Sequence, residues 1–303
     1  MKGSFLGFAA TLVLATLACG LINQAPNPPL DLNGVGTIVA ATFQALTPAE
    51  AAASPTVATE TPPTAISQTN GISISFDNIS FIIPEGLANG GSSEKIPAVS
   101  AETGAPWEVG PAYMKITLSS YPLQGTMWQP EIRIYPADEF RQIDSIVGDR
   151  MNEITSIVSN PSGPLPKNLP FLPFINAALV FYGQMQVIYF NNGSGIRYLT
   201  QFDQAPIPIN NQEMFYTFQG LSKDGKYFIS ATLPLNAAFL PADGSQNSPT
   251  PADGIPMDWN NYENFPVYLN AVTQKISSTD PNAFSPTLAK LDGLIQSIII
   301  NSP

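Results

Sequence analysis

Histidine is absent from this 303-residue chain, and cysteine occurs once, at Cys19. The first absence removes Ser-His-Asp and Cys-His catalysis, His-ligated zinc and the usual general base near neutral pH. The second excludes an intramolecular disulfide and Cys-rich metal sites, so the fold must rest on its apolar core. Basic charge is scarce as well. Twelve Lys and Arg stand against 23 Asp and Glu, a net charge of −11. Such a chain is not expected to bind nucleic acid or to dock by charge on anionic lipid. Long apolar runs are lacking beyond residue 18, so no second membrane span is expected. No cofactor and no metal is implied. What is present is core material: 44% of the residues are apolar, enough to bury a core without cross-links.

The one apolar run lies at the start. Lys2 gives a short positive segment, and Phe5 to Ala18 is apolar and small, without a charge. Fourteen residues are too few to span a bilayer, which needs about 20, and suit the apolar region of a secretory signal. Leu17 and Ala18 precede Cys19 and Gly20 follows it, with Thr16 where leucine is commonest. This stretch resembles the signal sequence and lipobox of a bacterial lipoprotein. The resemblance implies a signal peptide at 1–18 and diacylglycerol on the Cys19 thiol, usually with a third acyl chain on its amine. Two acyl chains suffice for stable anchoring where one is marginal. The implied location is the extracytoplasmic face of the cell membrane. Loss of Lys2 with the signal would leave eleven cations and a net charge of −12.

Residues 19–70 read as a lipid-anchored disordered linker. Asn23 to Pro29 is turn-rich, and Ala51 to Thr64 is a Thr/Pro/Ala stretch without periodicity. Such segments bury too little apolar surface to offset their ordering entropy. Between them, Val35 to Leu46 carries apolar residues at helical spacing and reads as a short fraying helix.

The folded part is expected at 71–303 as a single α+β domain, a mostly antiparallel sheet of about eight short strands covered by amphipathic helices. Ile72, Ile74 and Phe76 alternate with serines, Asp77-Asn78 makes a turn, and Ile79 to Ile83 runs back. Residues 87–112 read as a long loop. Strands follow at 114–118 and 131–134. Phe140, Ile143, Val147, Met151, Ile154 and Val158 form one helical stripe. A proline-rich loop fills 161–175, and 176–182 reads as a short helix. Strands at 185–190, 196–202, 213–219 and 226–233 suggest a meander. Two helices close the chain. Asn264 is the expected cap of the first, and Ser285 of the second, with Pro286 at its first position. The order of elements resembles that of PsbP-like lipoproteins.

Chemistry without histidine must use Ser, Lys, Tyr or carboxylates. Ser92-Ser93-Glu94-Lys95 matches a Ser-x-x-Lys pattern, without a downstream Lys-Thr-Gly. Glu102, Glu108, Glu131 and Glu213 are candidates for a carboxylate pair. Pro241-Ala-Asp-Gly244 recurs as Pro251-Ala-Asp-Gly254 and reads as turn chemistry. With Asp258 it offers oxygen donors that match no calcium loop. The aromatic residues Trp107, Trp128, Phe171, Phe174 and Trp259 lie near prolines or loop ends. Exposed together, they would form a surface for a protein or an apolar small molecule. Packed inward, they would plug the ends of the sheet. The sequence therefore favours a non-enzymatic tethered binding or envelope-assembly protein. A surface hydrolase using carboxylates or Ser92 and Lys95 is the alternative.

Overall fold

Gly71–Phe76 (β1) and Ile79–Pro84 (β2) form the expected hairpin, with Asp77 in the left-handed region at the turn. This is the first element of the protein's structure, a computed structural model that describes residues 70–301. The signal, Cys19 and linker expectations lie outside those residues.

The hairpin joins a short last strand, Ile299–Ile300 (β12), to make a three-stranded sheet in the order β1-β2-β12. The main sheet has seven strands: Gly90–Ile96 (β3), Tyr113–Ser119 (β4), Glu131–Pro136 (β5), Ala178–Phe190 (β6), Gly193–Asp203 (β7), Phe215–Ser222 (β8) and Tyr227–Pro234 (β9). Their order is β3-β4-β5-β9-β8-β7-β6, antiparallel throughout. Asn236–Ala237 (β10) pairs with Phe284–Ser285 (β11). The architecture is α+β with mainly antiparallel sheets.

Helices cover both faces of the main sheet. Ala137–Arg141 (α1) and Ser145–Ser159 (α2) lie on one, burying Phe140, Val147, Met151 and Ile154 against Tyr135, Ile196, Tyr198 and Phe228. Phe265–Ser278 (α3) and Leu288–Gln296 (α4) lie on the other with the small sheet. There Val272, Ile276, Leu291 and Ile295 pack with Leu199, Tyr216, Phe218 and Ile229. Sandwiched this way, β7 and β8 are buried almost end to end, and they carry buried polar side chains, among them Arg197, Thr217 and Gln219, as well as apolar ones.

Gly195 and Gly220 face each other at the middle of this sandwich. A Cβ on Gly195 would fall 2.2 Å from the Gln219 carbonyl oxygen, and the Phe218 ring lies over both glycines. Only glycine fits at this close approach.

Several expectations are corrected. Residues 178–182 begin the long strand β6 and are not helical. Residues 87–112 are not one loop, since they contain β3 and a further bridge between Val99 and Gly110. The stripe from Phe140 to Val158 is two helices, broken where the Asp144 carboxylate accepts from Ile146 N at 2.9 Å and caps α2. The Asn264 side chain makes no cap; Asn261 caps the preceding 3-10 turn. Thr287, not Ser285, caps α4. Among the described residues, nine strands of six residues or more and three of two stand beside the expectation of about eight short strands.

Candidate functional site

The β-hairpin turns define two ends of the main sheet. The β4–β5, β7–β8 and post-β9 loops gather at one end. The β3–β4, β6–β7 and β8–β9 turns gather at the other.

Trp128 and Phe171 meet at the first end. Trp128 packs on Phe215 with ring centroids 5.0 Å apart, and Phe171 packs on Phe202 at 4.8 Å and Phe215 at 6.0 Å. Phe215 is fully buried, so the cluster closes the sheet end and exposes only the partly covered rims of Trp128 and Phe171. Phe174 is half-buried beside the α2 core. Trp259 packs half-buried against the core on the opposite face. Trp107 lies at the other end, in the β3–β4 connection, and is 40% exposed. The five residues therefore do not form one surface.

Phe171 is held by its own loop's backbone. Leu172 N donates to Gln219 Oε1 at 2.9 Å, and Ser230 Oγ donates to Leu172 O at 2.6 Å. Tyr198 Oη donates to Pro170 O at 3.0 Å. Gln219 Nε2 completes the set with Thr217 Oγ1 and Ser230 Oγ. Each polar group here is buried and satisfied, which is the condition for a polar ladder to stabilise a core.

The same end brings carboxylates together: Glu213 lies in the field of Asp203 and Asp243, and the Asp203 carboxylate accepts from Gln204 N at 2.7 Å and Ala205 N at 3.2 Å. The Asn210 side chain sets this loop, accepting from Gln212 N and Glu213 N at 3.1 Å. Burial pushes the Glu213 carboxyl up to about 7; the Asp203 contact and the Asp243 charge add to the shift, and Asn210 opposes it. A proton held by the folded state and released on unfolding makes stability fall as pH rises. The loss begins above the ordinary carboxylate pKa and is complete above about pH 7. Tm is therefore expected to be lower by roughly 5 °C at pH 8 than at pH 5 on this account. Glu213→Gln should flatten that dependence, and an unchanged slope in thermal melts would reject the assignment.

Ser92 and Lys95 both lie on β3, opposite Thr117 and Met114. Three residues apart on a strand, they point to opposite faces about 10 Å apart and cannot act as a pair. Glu94 instead pairs with Lys115 at 2.8 Å. Among the described residues, no group of three His, Cys, Asp or Glu side chains could hold a metal ion.

The larger concavity lies at the other end and carries no sequence signal. It is a groove of about 520 Å³ between the last two turns of α2 and the β6–β7 and β8–β9 turns. Ile154, Val158, Phe190 and Leu221 supply its apolar surface. Arg141, at the end of α1, and Lys223, in the β8–β9 turn, supply its cations. Its volume falls in the range that holds a small molecule. No family, curated protein or solved structure matches the chain. The groove's chemistry therefore has to be read from its own residues. A second recess of about 350 Å³ lies at the opposite end between Gln124, Gln212 and Asp243. It is bridged by Met127 N donating to Gln212 O at 2.8 Å.

Proposed function

We propose that this chain is a lipoprotein anchored through Cys19 to the extracytoplasmic face of the cell membrane, and that its folded body binds a ligand or partner rather than catalysing a reaction. The observation that carries the reading is the single cysteine at the end of the only long apolar run, flanked by Ala18 and Gly20. A thiol with no second cysteine and no histidine has no disulfide or catalytic partner, and acylation gives it a role. The described body begins at residue 70, leaving about fifty residues of polar, proline-rich sequence between anchor and fold. That length lets the body work away from the bilayer surface.

Binding is favoured over hydrolysis by the arrangement of the ionisable groups. The catalytic pair suggested by the Ser-x-x-Lys pattern is split across a strand. The Asp203 carboxylate is engaged by the backbone N–H groups of Gln204 and Ala205 in its own loop. The groove beside α2, by contrast, offers a concave surface in which polar and apolar side chains are mixed and two of the polar ones, Arg141 and Lys223, are cations.

The test of the anchor is mass spectrometry on protein purified from its native membrane. The expected N-terminus is Cys19 carrying a diacylglycerol thioether. A free Cys19 thiol with residues 1–18 still attached would overturn the proposal.

A further inference from the structure

We infer that the groove beside α2 takes an amphiphile with one anionic head, a carboxylate or a phosphate, and an apolar body. The inference rests on the reading that the folded body binds a ligand, and adds the ligand's chemical class.

Charge makes the argument. The chain has only 12 cations against 23 acids, yet two cations, Arg141 and Lys223, line this groove and no carboxylate does. The acid nearest in sequence, Asp224, is turned into its own hairpin, where it accepts from Ser222 Oγ at 2.6 Å and Lys226 N at 3.1 Å. Arg141 donates to the neutral Asn152 Oδ1 at 3.3 Å, so its guanidinium keeps its charge uncompensated by that contact. Among the side chains that line the groove the charges are both positive, the reverse of the balance of the chain as a whole.

The rest of the groove fits the apolar part. Ile154 and Phe190 are buried at its base, while Val158 and Leu221 are half-exposed beside them. Tyr189 stands at the margin at 47% exposure, a large apolar face with nothing over it. The exposed Tyr189 ring, the half-exposed Val158 and Leu221 side chains and two cations together favour a molecule with an apolar body and a charged head. They disfavour a simple inorganic anion, which would leave those apolar side chains wet, and a cation, which Arg141 and Lys223 would repel.

The test uses the mature chain, residues 19–303, carrying Cys19→Ser so that no acyl chain competes. The probe is 8-anilinonaphthalene-1-sulfonate, followed by fluorescence. Displacement is then measured with dodecanoate, dodecyl phosphate and dodecyltrimethylammonium, all below their micelle concentrations. Saturable one-site binding is expected. At least one of the two anionic amphiphiles should displace the probe about ten-fold better than the cationic one. The relative strength of the carboxylate and the phosphate tells which head is preferred. Arg141→Glu combined with Lys223→Glu should weaken probe binding at least about ten-fold. Thr155→Trp, on the exposed α2 face that lines the groove, should block binding by filling the space. Equal displacement by all three amphiphiles would overturn the charge class and leave the binding reading standing. Absence of saturable probe binding would overturn both. Unchanged affinity in both variants, with Tm preserved, would place the probe elsewhere and overturn the groove.

Discussion

Arg197→Met is expected to lower the stability of the folded body by about 3–5 kcal/mol, a drop in Tm on the order of 10 °C. Arg197 sits on β7, 4% exposed, facing α4 across the sheet. Its Nη1 donates to Gln184 O and its Nη2 to Gln186 Oε1 at 2.6 Å, tying β7 to the bulged part of β6. Its Nε lies 3.3 Å from Asp292 Oδ1 on α4, an ion-pair distance without hydrogen-bond alignment. The same oxygen accepts from Tyr216 Oη at 3.0 Å. Burial, and then the Asp292 charge, push the Tyr216 phenol far up, so it stays a donor across the accessible pH range.

Removing the guanidinium takes a cation from beside the Asp292 carboxylate and leaves Gln184 O and Gln186 Oε1 without their buried donor. The loss of these contacts together, rather than the worth of the ion pair alone, sets the size of the effect. The double variant Arg197→Met/Asp292→Leu follows as the diagnostic partner. It removes both charges and should return to within about 2 kcal/mol of the parent protein, because apolar replacement of a buried pair is often nearly neutral. Urea denaturation of the parent, both single variants and the double variant closes the cycle. A loss below about 1 kcal/mol for Arg197→Met would mean that water reaches the pair, and would reject this account.

Neither member of that pair could be matched from the sequence, because 95 positions separate residues 197 and 292 and no local pattern links a strand to a helix across a sheet. The same holds for Asp203 and Glu213, brought together by the ends of two strands. Local patterns were legible where one face is wet. Ile72 to Phe76 alternates with serine, and β1 is indeed an edge strand. The stripes of α2 and α4 read clearly because the outward face of each is polar.

Legibility failed in β6 and in β3 for opposite reasons of composition. The run Ala178-Leu-Val-Phe-Tyr182 is apolar throughout because α3 packs beside β6 and the proline-rich loop also lies near it. A continuous apolar run does not distinguish strand from helix. β3 is the opposite case. Gly90-Gly-Ser-Ser-Glu94 is polar and largely exposed at the sheet edge, so it has no buried face to impose an alternation. Of the loop aromatics, Trp128 and Phe171 pack on Phe215 at one end of the sheet. The groove beside α2 had no signature at all. Its residues come from a helix end and two hairpin turns, each ordinary by itself.

Cys19→Ser in the full chain, expressed in its native host, is expected to abolish acylation altogether. With a labelled fatty acid in the medium, the parent protein should carry label and the variant none. Each buried methylene contributes roughly 0.8 kcal/mol, so two acyl chains hold a protein in the bilayer through any salt wash. Nothing in the rest of the sequence replaces them. Residues 5–18 are too short to span, and no described helix is long and apolar enough to cross a membrane. The net charge of −11 opposes attachment to anionic headgroups. The variant should therefore accumulate as the longer, uncleaved precursor, held loosely by its apolar run and extractable under alkaline conditions that leave the parent in the membrane. Label retained by Cys19→Ser, or absent from the parent, would show that the thiol is not the point of attachment. Because residue 19 lies some fifty positions before the fold, thermal melts of the variant should match those of the parent, separating loss of the anchor from loss of structure.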